Sequence, residues 1–446
     1  MRRLKFLLVM IVALRGGAQT TSEDQQYLFS VMPVIERADW PAAELQLLRG
    51  LAEFPRSAIL YNALGIVYRK EDKIEPAAAV FRKALDLLPS FTAAQLQLAS
   101  LERQQGRKKE AADLFRAAAD STTNFDALVA AGLGLADCED YAGAIRVLSK
   151  AKALKPDAAS VIYNLALAQF KAGDSAAALL SLQNAGSSEA DVVYLRGKIM
   201  ESAGNSQGAN EITTACRLEA ANETYCADAA VASIRQDNFT EALKLTEPAL
   251  QRSPDSVALL PIVALAQFRL GRYSEAIQSY RRALEQAPNL DAAREGLGFL
   301  YYMTGDLEAA RTVVEAGLQN PSADFYLAYV DGLILYRLSA QRKDQAAARV
   351  DQAIRANSKF APAYFLRGKI RMDQGNSAAA LADFEQAAKI DPKYPLPYYK
   401  MAQIYSRLGR TGEAESARRK FAELGSLREE EMLARQAQDQ LLPPRH

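Results

Sequence analysis

Residues 58–91 read AILYNALGIVYRKEDKIEPAAAVFRKALDLLPSF, and this stretch decides the fold. Tyr61, Leu64, Gly65 and Tyr68 recur at i, i+3, i+4 and i+7, one face of an α-helix. Ala77, Phe81 and Ala84 keep to one face of a second helix. Pro89 ends that helix, because proline lacks an N–H and disfavours helical geometry in the residue before it. Small residues must sit where two helix axes cross closely, and bulky ones fill the space beside them. Gly65 and Ala77 are therefore expected at the close contact, with Leu64, Tyr68 and Phe81 packed around it.

Outward from this stretch the punctuation repeats. Pro55 to Pro89 and Pro254 to Pro288 are each 34 residues, and Pro89 to Pro156 is 67, two periods less one; Pro392 belongs to the same series. Glycines keep the same ruler through Gly106, Gly173, Gly204, Gly271, Gly305, Gly375 and Gly409. Gly271 to Gly305 and Gly375 to Gly409 are again 34 residues. Two residue types sharing one period define a 34-residue unit of two amphipathic helices. Two seams break the ruler: Gly173 to Gly204 is 31 and Gly305 to Gly375 is 70, placing irregularities near 186–190 and 320–326.

This pattern resembles the tetratricopeptide-repeat family, whose signature runs W-x2-L-G-x2-Y, then A-x3-F, then P. Residues 257–290 match it through Ala264, Gly271, Tyr273, Ala276, Tyr280, Ala283 and Pro288. Residues 361–394 match through Tyr364, Gly368, Gly375, Ala380, Phe384, Ala387 and Pro392, and 291–324 through Leu297, Gly298, Tyr301, Gly305 and Ala310. Three departures stand out: Gly50 replaces alanine, Thr213 replaces an aromatic, and 327–360 lacks the early small residue. The resemblance covers about 24–428, or about twelve units. It implies an all-α, right-handed superhelical solenoid of antiparallel helix pairs with a long concave surface. Within 426–446, Ser426-Leu427-Arg428-Glu429 reads as a capping box opening one more, charged helix, expected to solvate the open end of the array.

The first residues, MRRLKFLLVMIVALRGGA, join a basic start to a nine-residue apolar run and a small-residue site. They read as a signal peptide over 1–18, cleaved after Ala18, which places the protein in the periplasm or outside the cell. An oxidising compartment gives Cys216 and Cys226 a meaning. Their pairing is the disulfide that local spacing suggests; the alternative is two buried free thiols.

Composition excludes more chemistry than it supports. Lys+Arg number 54 and Asp+Glu 53, so no excess positive charge marks a nucleic-acid binder. The one histidine, His446, is the last residue, which removes a histidine triad and an HExxH zinc site. Three cysteines cannot supply four thiolates. Gly204-Asn205-Ser206-Gln207-Gly208 spells the hydrolase elbow but lies in an inter-helix turn without a histidine base. No catalytic residue, metal site, cofactor or membrane span after the leader is expected. Nor do three consecutive units carry the Lys/Asn/Arg set with which some family members clamp acidic tails.

What remains is binding. The expected function is a non-enzymatic scaffold that holds another protein or an extended peptide in its concave groove. The groove is expected to be an apolar strip of Tyr163, Leu167 and Phe170, then Val231 and Ile234, then Leu265 and Phe268, then Phe299 and Tyr302. The competing account places Phe170, Phe268 and Tyr302 in ordinary inter-repeat core. Asn62, Ile66 and Arg69 at one end, and Tyr399, Gln403 and Ser406 at the other, make the terminal units more polar. A second function is a carbohydrate- or envelope-polymer-binding component, or a part of secretion and assembly.

Overall fold

A computed structural model describes residues 22–183, 189–319, 324–425 and 429–443. Among them lie twenty-five α-helices, one 3-10 turn (Ala340–Arg342) and no strand. The chain divides after Asn205 into two compact units. The leader, the serine of the expected capping box, and residues 186–188 and 320–323 of the two expected seams fall outside the described residues.

The first unit holds α1 (Glu23–Glu36), α2 (Trp40–Glu53), α3 (Ala58–Lys70), α4 (Ile74–Leu87), α5 (Thr92–Gln104), α6 (Lys108–Asp120), α7 (Phe125–Asp137), α8 (Tyr141–Leu154), α9 (Ala159–Lys171), α10 (Ser175–Leu182) and α11 (Ala190–Ser202). The second holds α12 (Gly208–Leu218), α13 (Glu223–Arg235), α14 (Phe239–Arg252), α15 (Leu260–Arg269), α16 (Tyr273–Gln286), α17 (Asp291–Thr304), α18 (Leu307–Leu318), α19 (Phe325–Leu338), α20 (Lys343–Ala356), α21 (Ala361–Asp373), α22 (Ser377–Ile390), α23 (Pro395–Arg407), α24 (Thr411–Leu424) and α25 (Glu429–Leu441). Helices pair in chain order, α3 with α4, α5 with α6, α21 with α22, and each pair stacks on the next inside its unit. The division falls inside the repeat carrying Thr213, between its two helices.

Both rulers have a backbone cause. Glycines 106, 173, 204, 271, 305, 375 and 409 all take positive φ in the turn between the two helices of a repeat, where a left-handed residue reverses the chain. Where the glycine is missing, Ala38, Asp72, Glu139 and Asp237 take the same conformation, except between α19 and α20, where the 3-10 turn Ala340–Arg342 makes the connection. The second helix ends on an extended residue that precedes the proline, as in Leu88 (φ −141°, ψ 87°) and Ala287 (φ −134°, ψ 85°). That is the geometry proline imposes on its predecessor. Side-chain caps start many helices: Ser57 Oγ accepts from the Leu60 N–H at 3.3 Å and Asp140 Oδ1 from Gly143 at 3.0 Å.

Close contacts follow the small-against-large rule. A Cβ on Gly65 would stand 2.5 Å from Cε1 of Phe81, which is fully buried. Gly368 faces Phe384 in the same way at 2.6 Å. Gly50 is explained by Tyr27, whose ring fills the space a side chain there would need. The repeat beginning at Phe325 does have its small residue: Gly332, 2.7 Å by the same measure from Val350 Cγ2. The 70-residue interval had shifted its frame.

The last helix differs from expectation. Instead of covering the open end of the array, α25 packs on α15 and α17, inside the second unit.

Candidate partner-binding groove

In each repeat the first helix is the odd-numbered one, and these helices build the surface on which the expected groove residues lie. In the first unit, Tyr163, Leu167 and Phe170 on α9 are half-buried, packed against a cluster that includes Ile162, Ala166, Leu182 and Leu195. They remain partly open to solvent. A cleft of about 280 Å³ lies nearby in sequence, between α3, α5 and α7. Arg69, Gln97, Ser100, Arg103 and Asp137 line it. Burial pulls the Arg69 guanidinium below its ordinary value, and Arg103 pairs with Asp137 at 3.2 Å. Asn62 is buried with Oδ1 unpartnered. Ile66, expected on the polar end of the groove, is buried core.

In the second unit the expected strip is covered. Val231, Ile234, Leu265, Phe268 and Phe299 are all buried, with Leu265 and Phe299 only 1 % exposed; Tyr302 is half-buried. Phe268 and Phe299 meet edge to face at 5.9 Å between centroids, and Phe299 lies 6.2 Å from Tyr302 and 6.5 Å from Tyr326. Such aromatic contacts belong to interior packing. Phe299 and Leu265 are therefore core rather than open groove wall.

The remaining face of this core meets α25. Leu433, Ala437 and Leu442 join the same buried cluster as Phe268, Phe299 and Tyr326. Lys369 Nζ on α21 donates to Glu429 Oε1 at 2.5 Å. Gln438 Nε2 donates to the Ile234 carbonyl on α13 at 3.1 Å, and Arg235 Nη2 donates to the Pro443 carbonyl at 2.5 Å. Tyr302, its phenol raised first by burial, also feels the negative charge of Glu429 and Glu430. These contacts run α25 lengthwise across the first helices of the unit. Its residues were missed because the three glutamates read as a solvated face. The stripe Leu433, Ala437, Leu441, spaced i, i+4, i+8, is the signal that marks its docking side.

Cys216 and Cys226 are bonded, with Cα atoms 4.8 Å apart, tying α12 to α13; Cys138 is a buried free thiol. Among the described residues no group of histidine, cysteine or carboxylate side chains is arranged to hold a metal, and no helix is long and apolar enough to cross a membrane.

Comparison with known proteins places this geometry. Family models described as tetratricopeptide repeat match residues 35–90, 62–124, 228–291, 267–327 and 397–424, and one described as TPR repeat matches 368–409. Tetratricopeptide repeat protein 8 of Caenorhabditis elegans is 27 % identical over 188 residues, which is 41 % of this chain and 36 % of that protein. The CTR9 homolog of Arabidopsis thaliana is 39 % identical over 84 residues, 19 % of this chain and 7 % of that protein. This chain therefore spans well under half of either relative. Among solved structures, a chain of the APC/C hetero-tetramer Cut9–Hcn1 aligns at 12 % identity over 95 % of this chain and 97 % of that one, with a TM-score of 0.47.

Proposed function

Because this chain belongs to the tetratricopeptide-repeat family, we propose that it is a non-enzymatic scaffold holding segments of other proteins along the first helices of its repeats, and that it works after export. The observation that carries the binding reading is the second unit, whose first helices accept a helix laid lengthwise across them. A surface of that shape selects a polypeptide segment by apolar burial with polar contacts at its ends. The first unit offers the cleft between α3, α5 and α7, and the half-open Tyr163, Leu167 and Phe170, for the same purpose.

A glycan surface would present a file of open aromatic rings beside carboxylates and amides. Among the described residues the most exposed large aromatics are Phe29, Tyr273 and Tyr399, on three separate helices, which favours the protein reading. Export is supported by the basic-then-apolar leader and by the Cys216–Cys226 bond, a chemistry of oxidising compartments.

Photo-crosslinking in the native host tests both parts. A crosslinking amino acid at Tyr163 or Phe170 should yield protease-sensitive adducts, and one at the exposed Leu154 of the second helix α8 should not. Glycosidase-sensitive adducts would replace the protein reading with the carbohydrate one. Intact mass of protein from the exported fraction should begin at Gln19; a retained Met1 in the cytosol would defeat export.

A further inference from the structure

The second unit shows more than that its groove can hold a helix; it shows which kind. The contacts of α25 define a register. Its first turn (Glu429, Glu430, Glu431) lies toward α21, where Lys369 pairs with Glu429. Lys369 itself stands 5.2 Å from the ring of Tyr336 on α19. Midway, Arg269 on α15, lowered first by burial and paired with Asp237, feels Arg435 of α25 against it and Glu431 and Asp439 in its favour. At the far end Gln438 reaches the Ile234 carbonyl of α13, and Arg235 caps the carbonyl of Pro443. Thirteen residues of helix, about 20 Å long, thus cross the first helices of successive repeats in reverse order. The sequence of chemistries is acid over lysine, a leucine–alanine stripe over aromatic core, then an amide and a carbonyl that accepts from Arg235.

The hold is light. Of its thirteen residues only Leu433, Ala437 and Gln438 are buried, against ten of fourteen in α19. Gln438 Oε1 is buried without a partner, so even its anchoring amide is half satisfied. Charge complementarity steers such a contact more than it tightens it.

We propose that the groove of the second unit is a receptor for an amphipathic helix with an acidic first turn, and that α25 is a resident copy of that ligand which a partner protein's helix displaces. This rests on the scaffold reading above and names the partner's chemistry. A partner helix carries apolar residues at i, i+4 and i+8, glutamates or aspartates in its first turn, and a side-chain donor near its C-terminus. The first unit retains its own open surface, so occupancy by α25 regulates one groove only.

The test uses the full chain and a labelled synthetic peptide of residues 429–446, with a scrambled peptide as control. Leu433→Asp undocks α25 without altering the groove. Its peptide affinity, read by fluorescence anisotropy, should exceed that of the unaltered chain at least tenfold, and hydrogen exchange should rise in α25 alone. Lys369→Glu reverses the charge that meets Glu429 and should release α25 in exchange measurements, with an unchanged melt of the remaining helices as its fold control. It should bind the Glu429→Lys peptide at least fivefold better than the native peptide. Equal affinity of the Leu433→Asp chain and the unaltered chain would overturn the proposal. So would exchange rising through α13–α19 together with α25, which would make α25 an integral wall of the core. A concentration-dependent dimer that the peptide dissolves would overturn it too, assigning α25 to a second copy. Because the peptide is the chain's own, none of these failures touches the crosslinks that test the scaffold reading in the first unit.

Discussion

Glu295 on α17 carries a carboxyl that the fold keeps protonated. It is 5 % exposed, its Oε1 has no hydrogen-bond partner, and its charge would face the buried phenols of Tyr280 and Tyr326. Burial first, then the negative charges of Asp324 and Asp291, push it up to about 8 from an ordinary 4.5. In the unfolded chain the group ionises near the ordinary value, so between the two the folded state holds a proton that the unfolded state has lost. The contribution of Glu295 to stability is therefore greatest below about pH 4.5, falls as pH rises toward 8, and is lowest above it. At 1.36 kcal/mol per pH unit the total fall is about 5 kcal/mol, or about 3–5 once relaxation around the charge is allowed. Glu295→Gln removes the ionisation while keeping the shape. Urea unfolding followed by circular dichroism should find the variant more stable by about 3–5 kcal/mol at about pH 9, and within about 1 kcal/mol of the parent at about pH 5. The difference should appear in the transition of the second unit alone. Parallel pH profiles for parent and variant would refute the reasoning, because they would mean that the carboxylate is solvated in the fold.

Ala38 sits at φ 58° where other repeats have glycine, and Ala38→Gly should gain about 0.5–1 kcal/mol, the left-handed penalty less glycine's unfolded-state entropy, in thermal melts. Gly65→Ala drives a methyl into the buried Phe81 ring and should cost about 1–2 kcal/mol; Gly412→Ala, with nothing within 4 Å, should cost nothing. Replacing Cys216 and Cys226 by alanine opens a ten-residue link and should cost about 2–3 kcal/mol in non-reducing buffer, a difference that reductant abolishes.

The fold was legible because its punctuation is local. A left-handed turn every 34 residues demands glycine on steric grounds alone, and seven glycines meet that demand. Four further turns use Ala38, Asp72, Glu139 and Asp237, side chains that tolerate the strain without announcing it, so the glycine ruler showed gaps there where the backbone has none; among the described residues the turn between α19 and α20 alone departs, through the 3-10 turn Ala340–Arg342. The prolines behave alike: Glu219 and Asn357 end their helices in the same extended geometry as Leu88, yet no proline follows either. Gly332 was hidden for another reason. Its contact with Val350 depends on counting from the true start of α19, which the lengthened interval displaced.

The groove was legible only in part, because helical spacing shows which face is apolar and not what covers it. Val231, Leu265 and Phe299 were read as one strip, but repeats stacked side by side bury most of such a strip in each other. What they leave uncovered is narrow, and a narrow stripe such as Leu433, Ala437 and Leu441 suffices to fill it. The two halves of that contact, Ile234 and Gln438, lie 204 residues apart. Local pattern makes α25 a helix and makes one side of it apolar; nothing local distinguishes a helix that solvates the end of an array from one that turns back into it. The distinction comes from charge. An end cap would profit from glutamates facing water, whereas here Glu429 meets Lys369 on α21. Acidic residues on a late helix, set against unexplained basic residues on earlier first helices, are the pattern by which such a returning segment can be sought in sequence.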